Sequence, residues 1–287
     1  MTCRSEDFHY VAIPDPDSRI PAGGWVNRRG TTAIALTVAG SDSGGGAGIQ
    51  ADLKTFHAHG VFGTSAITCI TAQNPDRVSA VKALSPALVI EQMDRIFEAF
   101  PIGAAKTGML YDAAIITTVA RSFARRKFHR VVVDPVMVAS SGARLLKNDA
   151  IAALATRLFP QAAVVTPNLA EAEALLRGSI HTLRELRVAA RLLAEKYGVP
   201  FLVKGGHLPG GNAAVDVLFD GQQFYEYRAK RVPHIKTHGT GCTFSAAIAA
   251  NLALGQSLPE SIARAKRFIT SAIRGARKMG PYSLLRI

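Results

Sequence analysis

Cysteine is scarce in this chain: Cys3, Cys69 and Cys242 are the whole complement, and none stands in CxxC spacing. That argues against a disulfide framework and a structural zinc site, and makes a reducing cytoplasm the expected compartment. No unbroken apolar run reaches the length of a bilayer span, so no membrane partner is expected. One tryptophan and six tyrosines leave few rings for base stacking, and the basic residues behind the net charge of +13 are scattered. Their modest clusters lie at Arg125-Arg126-Lys127 and Arg228 to Arg231. Nucleic acid is therefore not an expected partner, and a solvated basic surface or a phosphate-bearing small substrate accounts for the charge. Residues 1–30 lack the apolar segment of a secretory signal and carry Glu6, Asp7, Asp15, Asp17, Pro14, Pro16 and Pro21. They read as a flexible N-terminal extension, with 31–287 as a single domain.

Two nucleotide-binding signatures are also missing. No Gly-Lys-Ser/Thr closes a Walker A loop, and the glycine loop Ser41-Asp42-Ser43-Gly44-Gly45-Gly46-Ala47-Gly48 has Ile49 where a dinucleotide fingerprint needs its third glycine. What is there is alternation. Short β-branched runs, Ala33–Ala39, Thr64–Ala72, Ala104–Leu110, Val131–Met137, Ala163–Asn168 and Phe201–Val203, are separated by stretches of helical spacing. Val78–Leu84 reads as a short edge strand, and Val215–Phe219 with Gln223–Arg228 as a hairpin at the sheet edge. The expected class is α/β, with a mostly parallel central sheet, helices on both faces and an antiparallel edge.

The segment Thr237-His238-Gly239-Thr240-Gly241-Cys242-Thr243 opens directly into the apolar run Phe244–Leu254. A glycine-punctuated loop entering a helix directs backbone N–H groups and the positive end of the helix dipole at one point, which suits an anion. A thiol at that point has its thiolate favoured and its pKa lowered, so Cys242 reads as a built-in base. A buried cysteine in a core helix is the alternative. Polar residues also gather at predicted strand ends: Asp42, Gln73, Asp134, Asn168 and Lys204. In a doubly wound sheet these ends share the edge where ligands bind. Asn168 with Glu171 has two readings, a holder of hydrated Mg²⁺ or a helix capping box.

In order along the chain, Ala39 to Asp52, Thr71-Ala72-Gln73-Asn74, Lys106-Thr107-Gly108-Met109, Asp134-Pro135-Val136-Met137, Thr166 to Glu171, Lys204-Gly205-Gly206-His207 and His238 to Thr243 resemble the hydroxymethylpyrimidine/phosphomethylpyrimidine kinases of thiamine biosynthesis, in the ribokinase superfamily. The resemblance runs from about residue 33 to 275. It implies a ribokinase-like fold and two ATP-dependent phosphorylations of 4-amino-5-hydroxymethyl-2-methylpyrimidine, to the monophosphate and then the diphosphate. It puts the pyrimidine among Asp52, Gln73, Met109, Val136, Gly40 and Ala47, and ATP at Lys204, Asn168, Thr166 and Thr240. Mg²⁺ falls near Asn168, Glu171 and Asp134, and the transferring phosphoryl group lies on Gly239, Thr240, Gly241 and Cys242. Cys242 takes the place of an aspartate base. Pyridoxal kinase of the same branch is the neighbouring activity, and Gln73, able both to donate and to accept, favours the aminopyrimidine over it. A homodimer paired through edge strands is expected. The C-terminal Lys278-Met279-Gly280-Pro281 only partly matches the Gly-His-Gly-Pro ending of relatives, and Gly44 stands where many have serine.

Overall fold

The computed structural model describes residues 8–10, 30–137, 148–209, 212–232 and 238–287. Apolar, β-branched runs form the centre of a ten-stranded sheet. Its strands are β1 (Phe8–Tyr10), β2 (Ile34–Asp42), β3 (Phe62–Gln73), β4 (Val78–Ala83), β5 (Ala104–Thr107), β6 (Val131–Val133), β7 (Ala162–Val165), β8 (Phe201–Gly205), β9 (Ala213–Phe219) and β10 (Phe224–Lys230). They lie in the order β1-β10-β9-β8-β7-β6-β5-β2-β3-β4. From β8 through to β3 all neighbours are parallel, while β9 joins β8, β10 joins β9 and β4 joins β3 antiparallel.

Helices cover both faces. One core packs α2 (Pro86–Ala99), α3 (Ala113–Arg125), α4 (Asn148–Ala153), α5 (Leu169–Leu176) and α6 (Leu183–Tyr197) on the sheet through residues such as Met93, Phe123, Leu158 and Leu193. The other packs α1 (Gly48–Ala58), α7 (Thr240–Ala253) and α8 (Leu258–Arg274) through Phe56, Ile248 and Ile262. A short hairpin, β11 (Arg277–Met279) with β12 (Tyr282–Leu284), follows α8. The chain winds outward from β2 to β3 and β4, then returns to the other side of β2 at β5. The crevice between β2 and β5 is thus the topological switch point, where an open α/β sheet binds ligands.

Three expectations shift in detail. β2 runs past Gly40 to Asp42 because Gly40 sits at a register shift between Ala39 and Ser41, a bulge where a Cβ would come within 2.8 Å of Cys69 Sγ. The strands expected to extend to Leu110 and Met137 end at Thr107 and Val133. The helix expected over Leu146–Phe159 is regular only to Ala153, then widens into a π turn at Leu154–Leu158 and closes as a 3₁₀ turn at Phe159–Gln161, where Pro160 cannot continue an α-helix. Its first residues, Leu146 and Lys147, lie outside the described residues, as does Thr237. At the other edge, Phe8–Tyr10 pair in parallel with β10, so the β9–β10 hairpin is not outermost.

Candidate active site

Helix N-termini separate structural ends from functional ones. Ser85, Asp112, Asn168, Thr182 and Ser257 cap α2, α3, α5, α6 and α8 with their side chains. Neither α1 nor α7, which start from Ala47 and Gly239, has a side-chain cap from its N-cap residue. Both follow glycine loops, and both open on the switch-point crevice. A glycine-led helix N-terminus, its amides backed by the helix dipole, is how a fold prepares a place for phosphate, and α7 offers one.

The two loops are pressed together by glycine. Gly239 has φ +82, and a Cβ on it would stand 2.8 Å from the Gly46 carbonyl carbon and overlap the oxygen outright. Asp42 shapes the first loop from inside. Its Oδ1 accepts the Gly44 N–H at 2.8 Å, and its Oδ2 accepts those of Gly46 at 3.1 Å and Ala47 at 2.8 Å. Burial alone would raise the Asp42 carboxyl, but His238 and the Gly44 and Ala47 amides hold it below its ordinary value. Ala47 therefore serves as a loop and cap residue, its N–H turned to Asp42.

Lys204 at the end of β8 pairs with Asp134 at the end of β6, Nζ to Oδ1 at 3.0 Å. Ser245, one turn into α7, donates to Asp134 Oδ2 at 3.1 Å. Burial would lower the Lys204 ammonium, but Asp134 and Glu171 hold it above its ordinary value. A Cβ at Gly241 would stand 3.6 Å from Lys204 Nζ and 3.8 Å from Asp134 Oδ2, so the first turn of α7 faces this pair directly.

Asn168 and Glu171 form the capping box. The Asn168 side chain accepts the Glu171 N–H at 3.0 Å, and Glu171 Oε2 accepts the Asn168 N–H at 2.9 Å. Glu171 Oε1 also accepts the Met137 N–H at 3.1 Å, so both its oxygens are engaged by backbone. Burial pushes its carboxyl up, with Lys204 pulling the other way. Among the described residues no group of three or more His, Cys, Asp or Glu forms a metal cluster. The donor set fits a water-rich Mg²⁺ carried by phosphate oxygens near Asp134 better than direct ligation by Asn168 and Glu171. Thr166 is buried and its hydroxyl donates to the Val133 carbonyl at 3.4 Å. Thr240 is the first residue of α7.

Two expectations are corrected here. Asp52 does not face a ligand. It is fully buried on α1, where Lys106 Nζ bonds both its oxygens at 3.0 and 2.9 Å and Thr37 Oγ1 donates to Oδ2 at 2.6 Å. Cys242, expected to have a lowered pKa, has a raised one. Burial is the main cause, Asp52 and Asp134 add to it, and Lys106 with the Gly48 amide only partly opposes it. The side chain nonetheless keeps partial access to the crevice.

Gln73 stands at the end of β3, its side-chain amide 3.1 Å from His238 Nε2. Gly40 and Met109 line the crevice between β2 and β5, with a Cβ at Gly40 reaching within 3.9 Å of Met109 Cβ. Val136 is half-buried just beyond β6. The structure thus gathers Gly40, Ala47, Gln73, Met109, Asp134, Lys204, Gly239, Thr240, Gly241 and Cys242 around one crevice. Asp52 and Thr166 are fully buried. Motif reading assigned no role to Lys106, His238 or Ser245. A lysine in the otherwise apolar run Ala104-Ala105-Lys106 was a usable signal, since a buried ammonium requires a buried acid.

Residues 42–284 match the family model described as phosphomethylpyrimidine kinase. A hydroxymethylpyrimidine/phosphomethylpyrimidine kinase of Rhizobium meliloti is 50% identical over 250 residues, 86% of this chain and 93% of the relative. A bifunctional thiamine biosynthesis protein of Geobacter sulfurreducens is 50% identical over 245 residues, 85% of this chain, which spans 50% of that longer protein. Among solved structures, a phosphomethylpyrimidine kinase from Clostridium difficile superposes with TM-score 0.75 at 40% identity, covering 84% of this chain and 100% of the other. A Bacillus subtilis pyridoxal kinase in complex with ADP superposes with TM-score 0.82 at 36% identity, covering 89% and 97%. On these matches, the chain belongs to the phosphomethylpyrimidine kinase family.

Proposed function

We propose that the protein is an ATP-dependent kinase that phosphorylates 4-amino-5-hydroxymethyl-2-methylpyrimidine and then its monophosphate. The observation that carries this reading is the glycine-led N-terminus of α7, with Lys204 and Asp134 on one side and Gln73 on the other. In the first step the hydroxymethyl oxygen attacks the γ-phosphorus, its proton passes to the Cys242 thiolate, and ADP leaves. Lys204 and the amides of the first turn of α7 stabilise charge on the phosphoryl oxygens, which is the main part of such catalysis. Mg²⁺, when bound with the nucleotide, neutralises phosphate charge beside Asp134. In the second step the acceptor is already an ionised phosphate and needs no base.

Cys242→Ala is therefore expected to lower kcat for the first step by about 10²-fold, within the usual range for general-base loss, and the second step by less than about threefold. Separately supplied substrates measure the two, and equal losses would count against the role. A raised thiol pKa also means that the first step keeps accelerating as pH rises beyond neutrality. The second step should not share that slope.

A second reading, pyridoxal kinase, draws on the TM-scores of 0.80 to 0.82 with pyridoxal kinases from Staphylococcus aureus and Bacillus subtilis. Identities of 44–50% to the pyrimidine kinases favour the first. Coupled ADP release, measured with the pyrimidine, its monophosphate and pyridoxal side by side, decides between them; preference for pyridoxal overturns our reading. A cytoplasmic homodimer accords with it, β4 offering an open sheet edge.

A further inference from the structure

His238 has a position stricter than its place in a loop suggests. Its ring lies against Gly46, where a Cβ would come within 2.8 Å of Cδ2, so the seat exists only because residue 46 is glycine. Nε2 lies 3.3 Å from Asp42 Oδ2 and 3.1 Å from the Gln73 side-chain nitrogen, Nε2. Nδ1 is buried and has no partner among the described residues. One ring nitrogen cannot donate to the carboxylate and accept from the amide at once.

Electrostatics chooses between the two. A bare Nε2 would aim its lone pair at the ionised Asp42 carboxylate and leave an orphaned N–H on Nδ1, the rarer and costlier kind of buried orphan. With the hydrogen on Nε2, Asp42 gains a donor and Nδ1 keeps only an unfilled lone pair. Two N–H donors cannot face each other at 3.1 Å, so the Gln73 amide belongs the other way over, with its oxygen where the nitrogen is placed; the two ends of a glutamine amide are told apart only by such bonding.

We infer that His238 is a specificity-determining residue: its Nε2–H, shared between Asp42 and the Gln73 carbonyl, turns the Gln73 NH₂ group toward the substrate. This deepens the proposed function and rests on it. Gln73 then donates to the ring nitrogen beside the amino-bearing carbon of the pyrimidine, while the second lone pair of its oxygen remains for the exocyclic amine. Without His238 the amide is free to turn over and offers either end.

The test pairs spectroscopy with kinetics on the full chain. In ¹⁵N spectra of histidine-labelled protein, with His238 assigned by its loss in His238→Gln, the Nε2–H tautomer is expected; an Nδ1–H tautomer overturns the inference. The kinetic probe is the substrate analogue with carbon in place of that ring nitrogen. Wild type is expected to discriminate against it by roughly 30-fold in kcat/KM, the cost of leaving one buried donor unpaired. His238→Ala should shrink that ratio about tenfold, and His238→Gln, whose amide reaches the Nε2 position, should restore it. Equal loss with both substrates in His238→Ala, the ratio unchanged, reduces His238 to a loop contact and overturns the proposal. Wild-type preference for pyridoxal would sink the proposed function instead, while the tautomer measurement still decides the hydrogen-bond polarity.

Discussion

Lys106→Met is expected to lose about 3–5 kcal/mol of folding stability, the penalty for leaving one member of a buried ion pair unpaired. Lys106 and Asp52 are both 0% exposed, and their contacts at 3.0 and 2.9 Å are joined by the Thr37 hydroxyl. Burial alone would lower the Lys106 ammonium, but Asp52, with Cys242 and Asp134 adding to it, holds it above the ordinary lysine range. With methionine in its place, the Asp52 carboxylate keeps one hydroxyl donor inside an apolar wall. Differential scanning calorimetry should show Tm falling by about 10 °C, since a domain of this size loses roughly 2–4 °C per kcal/mol.

The double variant Lys106→Met/Asp52→Asn separates the pair from its neighbourhood. Removing both charges leaves a neutral amide that can still accept from Thr37, and at least half the lost stability should return. Activity should not. Lys106 also stands beside Cys242, where its charge opposes the burial that disfavours the thiolate. The first phosphorylation is expected to stay at least about tenfold down in the double variant, because the cation that favours proton acceptance is gone. A double variant no more stable than Lys106→Met would refute the ion-pair account.

The order of strands and helices is legible because buried parallel strands read as β-branched runs, and Val131-Val132-Val133 cannot be mistaken. What escapes is whatever depends on a distant partner. Asp52 shares a helix face with Ile49 and Phe56, so its burial could be read, but Lys106, 54 residues on, could not be paired with it from spacing. Cys242 fails for a related reason. The helix N-terminus is local and visible in Gly-Thr-Gly-Cys, whereas desolvation comes from β5, β6 and α1 closing around the thiol. Asn168 and Glu171 show the converse: their spacing fits a capping box equally well, and the box is what forms. The strand ends converge as expected because topology alone brings them to one edge.

Gly239→Ala is expected to slow transfer to both substrates by about 10²-fold, while Gly241→Ala slows it at least as much without loosening the fold. At Gly239 the backbone is left-handed and the neighbouring Gly46 carbonyl occupies the Cβ position, so an alanine must push the two glycine loops apart. A shift of even about 1 Å in phosphoryl-holding amides costs on the order of 10²-fold in rate, and both steps use the same amides. Strain of about 1–3 kcal/mol should also appear in thermal unfolding. Gly241 is the opposite case. It lies inside the first turn of α7 with no left-handed φ, and beyond its own turn the nearest atom to an added methyl group is Lys204 Nζ at 3.6 Å, so alanine fits and favours the helix. The methyl group would instead stand in the space between α7 and Lys204 that the phosphoryl oxygens require. An unchanged or slightly raised Tm together with a rate loss of about 10²-fold or more in Gly241→Ala identifies that space as the transfer site. A Gly241→Ala enzyme with normal rates in both steps would move the reacting phosphorus elsewhere in the crevice.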